Sequence, residues 1–448
     1  MPQQTTDWRP PGPRGLPVLG STLDFQRDPF GFRTKVARTY GPVASFDVLT
    51  ETFYLLTGPE HIERVLVHEN EKFIKGDIFQ TLLSPVVGQG LLTSEGEQWR
   101  KQRHRIQPAF APDALTHYAD IMVEETEDEL ATWTPGEVRN VHEDMLALTG
   151  EIVARSLFGV DVSDRTEVVA EALDVVMGYA ESLSSSMVPN WVPTPGKRRF
   201  DEAMQVLEAV VEDIIEERRA DPGDDVISAL LAAEDEDGRT MSDEQLRDEV
   251  MTLFLAGHET TALSLSFTLF VLAQHPDIED RLVTELDENL DGATPTVADL
   301  GDLPYLERVV KESMRLYPPV HAIIREPTED VVFDGYRIPA GSPVSMPQWT
   351  VHRDPAHYDD PMAFRPDRWT DDFEAELPRY AYFPFGGGPR RCIGDRFAMM
   401  EARLVLASIL QTYHLELVSD PSLDLAASIT TRPTSPIEMR VHERYDSP

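Results

Sequence analysis

The chain has 448 residues and a mass of 50.4 kDa, long enough for several domains or one unusually large fold. Its 79 Asp and Glu against 40 Lys and Arg leave a formal net charge of −39, which argues against a nucleic-acid binder, because phosphate contacts need a surplus of cations. Hydrophobic residues make up 41% of the chain, the content of a packed core rather than of an acidic disordered polymer.

Six of the cations are lysine and thirty-four are arginine. Acidity with scarce lysine fits a salt-rich cytoplasm, where molar salt shortens the screening length to about 3 Å and suppresses self-repulsion. The single cysteine excludes an intrachain disulfide. The opening MPQQTTDWRPPGPRG lacks the charged-then-apolar leader of secretion. The most apolar stretch, Met251 to Ala273, is interrupted by Gly257, His258 and Glu259, so no membrane span is expected and the protein is expected to be soluble and cytoplasmic.

Along the chain, the Pro- and Gly-rich stretch from Pro10 to Gly20 should run extended on the surface. Two β-type runs follow, Val43–Leu49 and Thr52–Thr57, with Thr50 and Glu51 as the connection. From about residue 60 to residue 320 the pattern is mostly helical, as in Met204, Leu207, Val210, Val211, Ile214 and Ile215. Asp221–Asp225 and Glu234–Gly238 read as acidic loops. Beyond Pro318, Val331–Phe333 and Tyr336–Pro339 flank an Asp334-Gly335 turn and predict a hairpin. No repeat and no Ser/Gly linker divides the chain. One large, mainly helical domain over 1–448, with a small sheet from both ends of the chain, is the expected organisation.

Cys392 lies in Phe383-Pro-Phe385-Gly-Gly-Gly388-Pro-Arg390-Arg391-Cys392-Ile-Gly394, ahead of an amphipathic helix carrying Phe397, Met400, Leu404 and Ala407 on one stripe. A helix N-terminus favours thiolate, the metal-binding form, and glycines at 386, 387, 388 and 394 clear space for a flat cofactor. By residue type alone a lone cysteine is usually a small buried hydrophobe.

The flanking Phe-x-x-Gly-x-Arg-x-Cys-x-Gly pattern, filled by Phe385, Gly388, Arg390, Cys392 and Gly394, resembles the haem-binding loop of the cytochrome P450 superfamily. That resemblance implies haem b as cofactor and Cys392 as the axial thiolate. Ala256-Gly257-His258-Glu259-Thr260-Thr261 resembles the family's oxygen-activation motif and would make Glu259 and Thr260 the acid–alcohol pair of a proton relay. On helical spacing alone, Thr260 can hydrogen-bond to the Ala256 carbonyl and, with Gly257, open or bend the helix. A zinc-protease reading of His258-Glu259 fails, because Ala262 stands where a second histidine is needed.

Glu312 and Arg315 on the helix before Pro318-Pro319 resemble the family's Glu-x-x-Arg signature, and Pro366-Asp367-Arg368-Trp369 the segment whose arginine completes a buried triad. Aspartate stands there for the commoner glutamate and tryptophan for phenylalanine. Trp99 and Arg103 match the Trp-x-x-x-Arg element that contacts a propionate in relatives, and Arg325 sits where many carry another propionate-binding arginine; with Arg390 this gives three guanidinium forks.

The resemblance spans essentially the whole chain. It implies the single, triangular, mainly α cytochrome P450 fold, with small β-sheets and haem between the Thr260-bearing helix and the Cys392 helix. A monomer from a halophilic prokaryote is expected. The implied activity is monooxygenation, with one oxygen atom of dioxygen inserted into a C–H bond. A haem-thiolate peroxygenase or isomerase is the alternative, and a non-catalytic haem-binding sensor the second. Leu91, Leu92, Ala256, Val320 and Ile323 are the candidate lining of an apolar, lipid-like substrate: a fatty acid, terpenoid or carotenoid. Electrons would come from a separate acidic ferredoxin or flavodoxin docking on a basic patch of Arg100, Lys101, Arg105, Arg391, Arg396 and Arg403.

Overall fold

A computed structural model describes residues 8–160, 194–223, 225–233 and 240–444 and, between them, residues 168, 171, 172, 175, 176, 178 and 179. The expected loop Glu234–Gly238 lies outside the described residues. The helices longer than ten residues are α1 (Pro29–Tyr40), α2 (Gly76–Val87), α3 (Gly96–Ile106), α4 (Pro112–Ala131), α5 (Val141–Phe158), α6 (Pro195–Ala220), α7 (Asp243–Leu272), α8 (Pro276–Leu290), α9 (Pro304–Leu316) and α10 (Asp395–Thr412). The strands are β1 (Val43–Val48), β2 (Glu51–Leu56), β3 (Phe73–Ile74), β4 (Val138–Asn140), β5 (Ile323–Pro327), β6 (Val331–Phe333), β7 (Tyr336–Ile338), β8 (Val344–Met346), β9 (Tyr413–Leu417), β10 (Leu425–Ala427), β11 (Thr431–Pro433) and β12 (Glu438–Glu443).

The chain forms two compact units: Met1–Gln80, Lys311–Cys392 and Ala426–Arg432 make the first, and Thr81–Val310, Ile393–Leu425 and Pro433–Pro448 the second. The first unit is built on the five-stranded sheet β1-β2-β8-β5-β3, which joins strands from both ends of the chain. The β1–β2 register pairs Val43 with Leu56 and Val48 with Glu51, so the two-residue turn is Leu49-Thr50, one position earlier than the sequence suggests. Leu49 takes φ +53° there and is half exposed, which lets the tight turn form without burying strain. The β6–β7 hairpin turns on Asp334 and Gly335, both at positive φ (+49° and +85°), as an Asp-Gly turn requires. Phe333, Ile338, Val344, Met346, Leu56 and Ile62 fill the core of this unit. The Pro-rich entry runs without regular structure only to Gly15 and then turns back, Leu16 and Gly20 bridging each other, so the expected extended run is cut short; it is also tied down, with Pro10 buried and Ser45 donating to the Pro10 and Pro11 carbonyls.

The second unit is helical, with α7 packed chiefly on α5 and also on α6 and α10, while β4-β12-β9 forms its small sheet. Helix α7 starts eight residues before the apolar run, because the Ser242 hydroxyl caps it by accepting from Gln245 N–H and Asp243 and Glu244 face the positive end of the dipole. Its length and hydropathy would allow a membrane crossing, but 83% of the apolar window is buried inside the protein, the signature of a core helix. Helix α9 ends at Leu316, ahead of Pro318.

Candidate functional site

In the first unit, the Cys392 loop is closed by backbone hydrogen bonds from Cys392 N–H to Phe385 O (3.0 Å) and from Arg391 N–H to Gly388 O (3.1 Å), and Cys392 is exposed. Two of its glycines are explained by protein rather than by a cofactor. A Cβ on Gly388 (φ +63°) would stand 1.8 Å from the Leu66 carbonyl oxygen, and one on Gly387 2.4 Å from the Tyr380 ring. Gly394 is less confined, since a Cβ there would meet the Phe110 ring at an ordinary contact distance of 3.6 Å. Ile323 comes up to the same loop, its Cδ1 3.3 Å from where a Gly386 Cβ would lie. Arg325 is half-buried on β5, opposite Val344, and donates to Ile324 O.

The segment with Val320 and Ile323 is fastened in a way the sequence does not disclose. Thr431 donates from N–H to Pro319 O and from its hydroxyl to Pro318 O, and His321 Nε2 bonds Ser428 O at 2.7 Å. On its other side His321 Nδ1 lies 3.0 Å from the buried Arg33 guanidinium, which assigns Nδ1 as acceptor and the ring as neutral. Burial first, then the Arg33 charge, push His321 down to about 3.

The same unit gathers Glu312, Arg315 and Arg368. Glu312 and Arg315 are fully buried, and the carboxylate receives five donors, each at 2.9 Å: Arg315 Nε and Nη2, Arg368 Nε, the Arg365 N–H and the Trp369 indole N–H. The remaining guanidinium N–H groups reach the carbonyls of His352, Asp359, Asp360, Pro361 and Ala363. Trp369 as a donor was not foreseen; the signal was the tryptophan standing where phenylalanine is commoner.

In the second unit, Glu259 is buried and Thr260 half-buried on α7, with the Thr260 hydroxyl donating to Ala256 O at 2.7 Å. The helix is nonetheless unbroken through this turn, so the expected opening is absent: the hydroxyl adds a bond to a carbonyl already accepting one. Ala256 is exposed although most of the helix is buried, leaving one open turn on a core helix. Leu91 is buried and Leu92 half-buried ahead of α3, on which Trp99 and Arg103 are both half-buried.

The sequence matches the Cytochrome P450 family over residues 10–441. The chain belongs to that family. Cyclooctatin synthase of Streptomyces melanosporofaciens is 38% identical over 413 residues, 90% of each chain. Pentalenene oxygenase of Streptomyces avermitilis is 32% identical over 436 residues, covering 96% of this chain and 97% of the relative. Among solved structures, the retinoic acid bound cyanobacterial CYP120A1 aligns with a TM-score of 0.87 at 29% identity, covering 98% of this chain and 100% of that one. The protein is thus a cytochrome P450 monooxygenase of mainly α fold, and its cofactor is haem b.

The residues of this P450 fit that cofactor: the Cys392 donor is exposed rather than packed away, and α7 carries small Ala256 at its open turn. The basic patch needs one correction. Arg403 is only 13% exposed, pairs with Glu307 at 3.4 Å and donates to Leu300 O, so it offers no docking charge. Arg100, Lys101, Arg391 and Arg396 are exposed and Arg105 is half-buried. Sequence reading also passed over Glu401 of α10. It is fully buried, burial raises its carboxyl well above the ordinary range, and neither oxygen makes a well-formed hydrogen bond among the described residues; Thr261 of α7 is its polar neighbour.

Proposed function

We propose that this P450 inserts one oxygen atom of dioxygen into a C–H bond of an apolar terpenoid. The exposed Ala256 and half-buried Thr260 in the mostly buried middle of α7 carry the reading, since they offer a small side chain and a hydroxyl where a core helix would be covered. Haem, when bound, supplies the reduction of dioxygen and the oxidation of the C–H bond. Cys392 would hold its iron through the thiolate, Trp99, Arg103, Arg325 and Arg390 would hold the propionates, and Phe385, Gly388 and Gly394 would shape the cysteine loop. Thr260 holds a proton at Oγ1 and Glu259 replenishes it. Glu312, Arg315 and Arg368 are structural, keeping one fold over 1–448.

Leu91, Leu92, Ala256, Val320 and Ile323 line the substrate site, all apolar. Relatives named for cyclooctatin and pentalenene support a terpenoid over a fatty acid. An acidic ferredoxin or flavodoxin docks through Arg100, Lys101, Arg105, Arg391 and Arg396, with short-range contacts dominating if the cytoplasm is salt-rich. The acidity and scarce lysine support a monomer in the cytoplasm of a halophile.

The test is the reduced carbon monoxide spectrum followed by a terpenoid screen. The wild type should show the red-shifted Soret band of thiolate ligation and Cys392→His should lose it; a variant that keeps it refutes the ligand. Terpenoids should shift the haem band and, with a ferredoxin system, yield products one oxygen atom heavier, and fatty acids preferred over every terpenoid would reject the substrate class. Charge reversal at Arg100 and Arg396 together should raise the donor's half-saturation concentration without altering the carbon monoxide spectrum; unchanged reduction kinetics would reject the docking site.

A further inference from the structure

Helix α7 enters its apolar stretch with two carboxyl groups in succession, and both turn to the main chain of the segment between α2 and α3. Asp248 Oδ2 accepts from Gln89 N–H at 2.7 Å and Glu249 Oε2 from Leu91 N–H at 2.8 Å. Gln102 of α3 grips the same segment, donating from Nε2 to Gln89 O at 2.7 Å. Between them Gly90 runs so close to α7 that a Cβ would lie 2.1 Å from Thr252 Oγ1.

Glu249 is fully buried, and its Oε1, like Gln102 Oε1 and Thr252 Oγ1, has no hydrogen-bond partner among the described residues. A buried carboxyl is a costly way to satisfy one amide. What it holds is the backbone of Leu91. Alongside is a cavity of about 260 Å³ bordered by Ser84, Gly88, Gln89, Met204, Asp248 and Met251, so packing alone does not fix the segment; the hydrogen bonds do.

We propose that Asp248 and Glu249 clamp residues 89–91 and so set where Leu91 and Leu92 meet substrate, which makes Glu249 a positioning residue of this P450. The proposal rests on the reading that these leucines line the substrate site. The clamp works with Glu249 neutral: burial first, and Asp248 in addition, push its carboxyl up to about 8 against the opposing Leu91 N–H. Of the charged groups on the elements packed against α7, Arg155 of α5 pairs with Glu124 and Glu125, Asp225 caps the short helix Val226–Ala232 and Glu401 of α10 meets Thr261, whereas Glu208 of α6 borders the cavity together with Glu244 and Arg247 of α7 itself, the last two acting on Asp248. The charge that acts on Glu249 is that of Asp248. As the pH rises past this range, an anion forms beside Asp248, and release of the segment lets water reach it.

The test is hydrogen exchange of residues 88–94 in the holoenzyme at pH 7 and 9, together with the affinity for 4-phenylimidazole read from the red shift of the haem band. It compares the wild type with Glu249→Gln, Glu249→Ala and Leu91→Ala, each checked first by its carbon monoxide spectrum. Wild-type protection should fall about tenfold between pH 7 and 9, because with a pKa of about 8 the neutral form drops from about nine-tenths of the carboxyl to about one-tenth over that range. Glu249→Gln should stay protected at both pH values and Glu249→Ala at neither. Probe affinity, taken relative to Glu249→Gln at the same pH so that the probe's own titration cancels, should follow protection. A wild-type pH profile equal to that of Glu249→Gln, or full protection in Glu249→Ala, overturns the clamp. If Leu91→Ala weakens the probe while the Glu249 variants do not, the lining reading stands and the clamp falls. If Leu91→Ala changes nothing, the lining reading falls and takes the clamp's substrate role with it.

Discussion

Trp369→Phe measures what the unusual indole contributes to the buried Glu312 cluster. The substitution keeps a six-membered ring against Tyr382 (centroids 4.6 Å apart) and Phe373 (5.7 Å) but deletes the N–H that reaches Glu312 Oε2. Among the described residues Oε2 accepts from Arg315 Nε and this indole, whereas Oε1 accepts three donors, so the loss falls on the less-served oxygen. A hydrogen bond to a charged group contributes about 1.5–3 kcal/mol. The lost ring leaves a small void at a residue 2% exposed, adding roughly 1 kcal/mol. The expected destabilisation is therefore about 2.5–4 kcal/mol. Urea unfolding of the holoenzyme, with Glu312→Gln as the second arm of a double-mutant cycle, separates the two parts, because the void persists in the Glu312→Gln background while the charge-assisted bond does not. Destabilisation of Trp369→Phe below about 0.5 kcal/mol, or additivity of the two substitutions within that margin, would refute the indole's role.

Thr260→Ala should keep the carbon monoxide spectrum but divert reducing equivalents to peroxide and water, and unchanged product per electron consumed sinks the relay. His321 is neutral in the folded protein, with a pKa near 3 against about 6.5 unfolded, so the unfolded chain takes up the proton first as the pH falls. Stability should therefore drop between about pH 6.5 and 3 with a contribution of up to ~1.4 kcal/mol per pH unit that His321→Asn removes; equal acid sensitivity in the two proteins contradicts the buried neutral ring. Melting temperature and haem retention should rise from dilute buffer to molar potassium chloride, and a salt-independent melt argues against halophilic adaptation.

What could be read from the chain follows the range over which each signal acts. The Asp334-Gly335 hairpin, the proline stop after α9 and the apolar stripe of α10 are set by neighbours a few residues away, and each stands where local chemistry puts it. The start of α7 lies eight residues ahead of the apolar stretch Met251 to Ala273, because the helix begins at a polar cap that hydropathy does not mark. Local pattern makes the glycines of the cysteine loop clearance for a cofactor, yet Gly388 is answered by Leu66, more than three hundred residues earlier. Arg33 and His321, 288 positions apart, leave no mark in either local pattern. Arg403 looks like any other exposed cation beside the cysteine until the fold supplies Glu307 and Leu300.

The glutamates show the same limit within one residue type. At 249, 312 and 401 the chain carries the same side chain on a helix, and all three are fully buried. Glu312 meets five donors, two of its partners being guanidinium groups, and becomes the centre of a network. Glu249 meets one amide and a neighbouring carboxylate, and Glu401 little more than a hydroxyl, so burial drives both toward the neutral acid. The difference lies in how many N–H groups the fold delivers to each carboxyl, and those groups come from residues 3 to 158 positions away. Glu312 is recognisable in advance because its partner Arg315 is one turn along the same helix. Glu249 is not, because the Leu91 amide it holds belongs to a different part of the chain, and a carboxyl that can change charge in such a place affects function only through the segment it fastens.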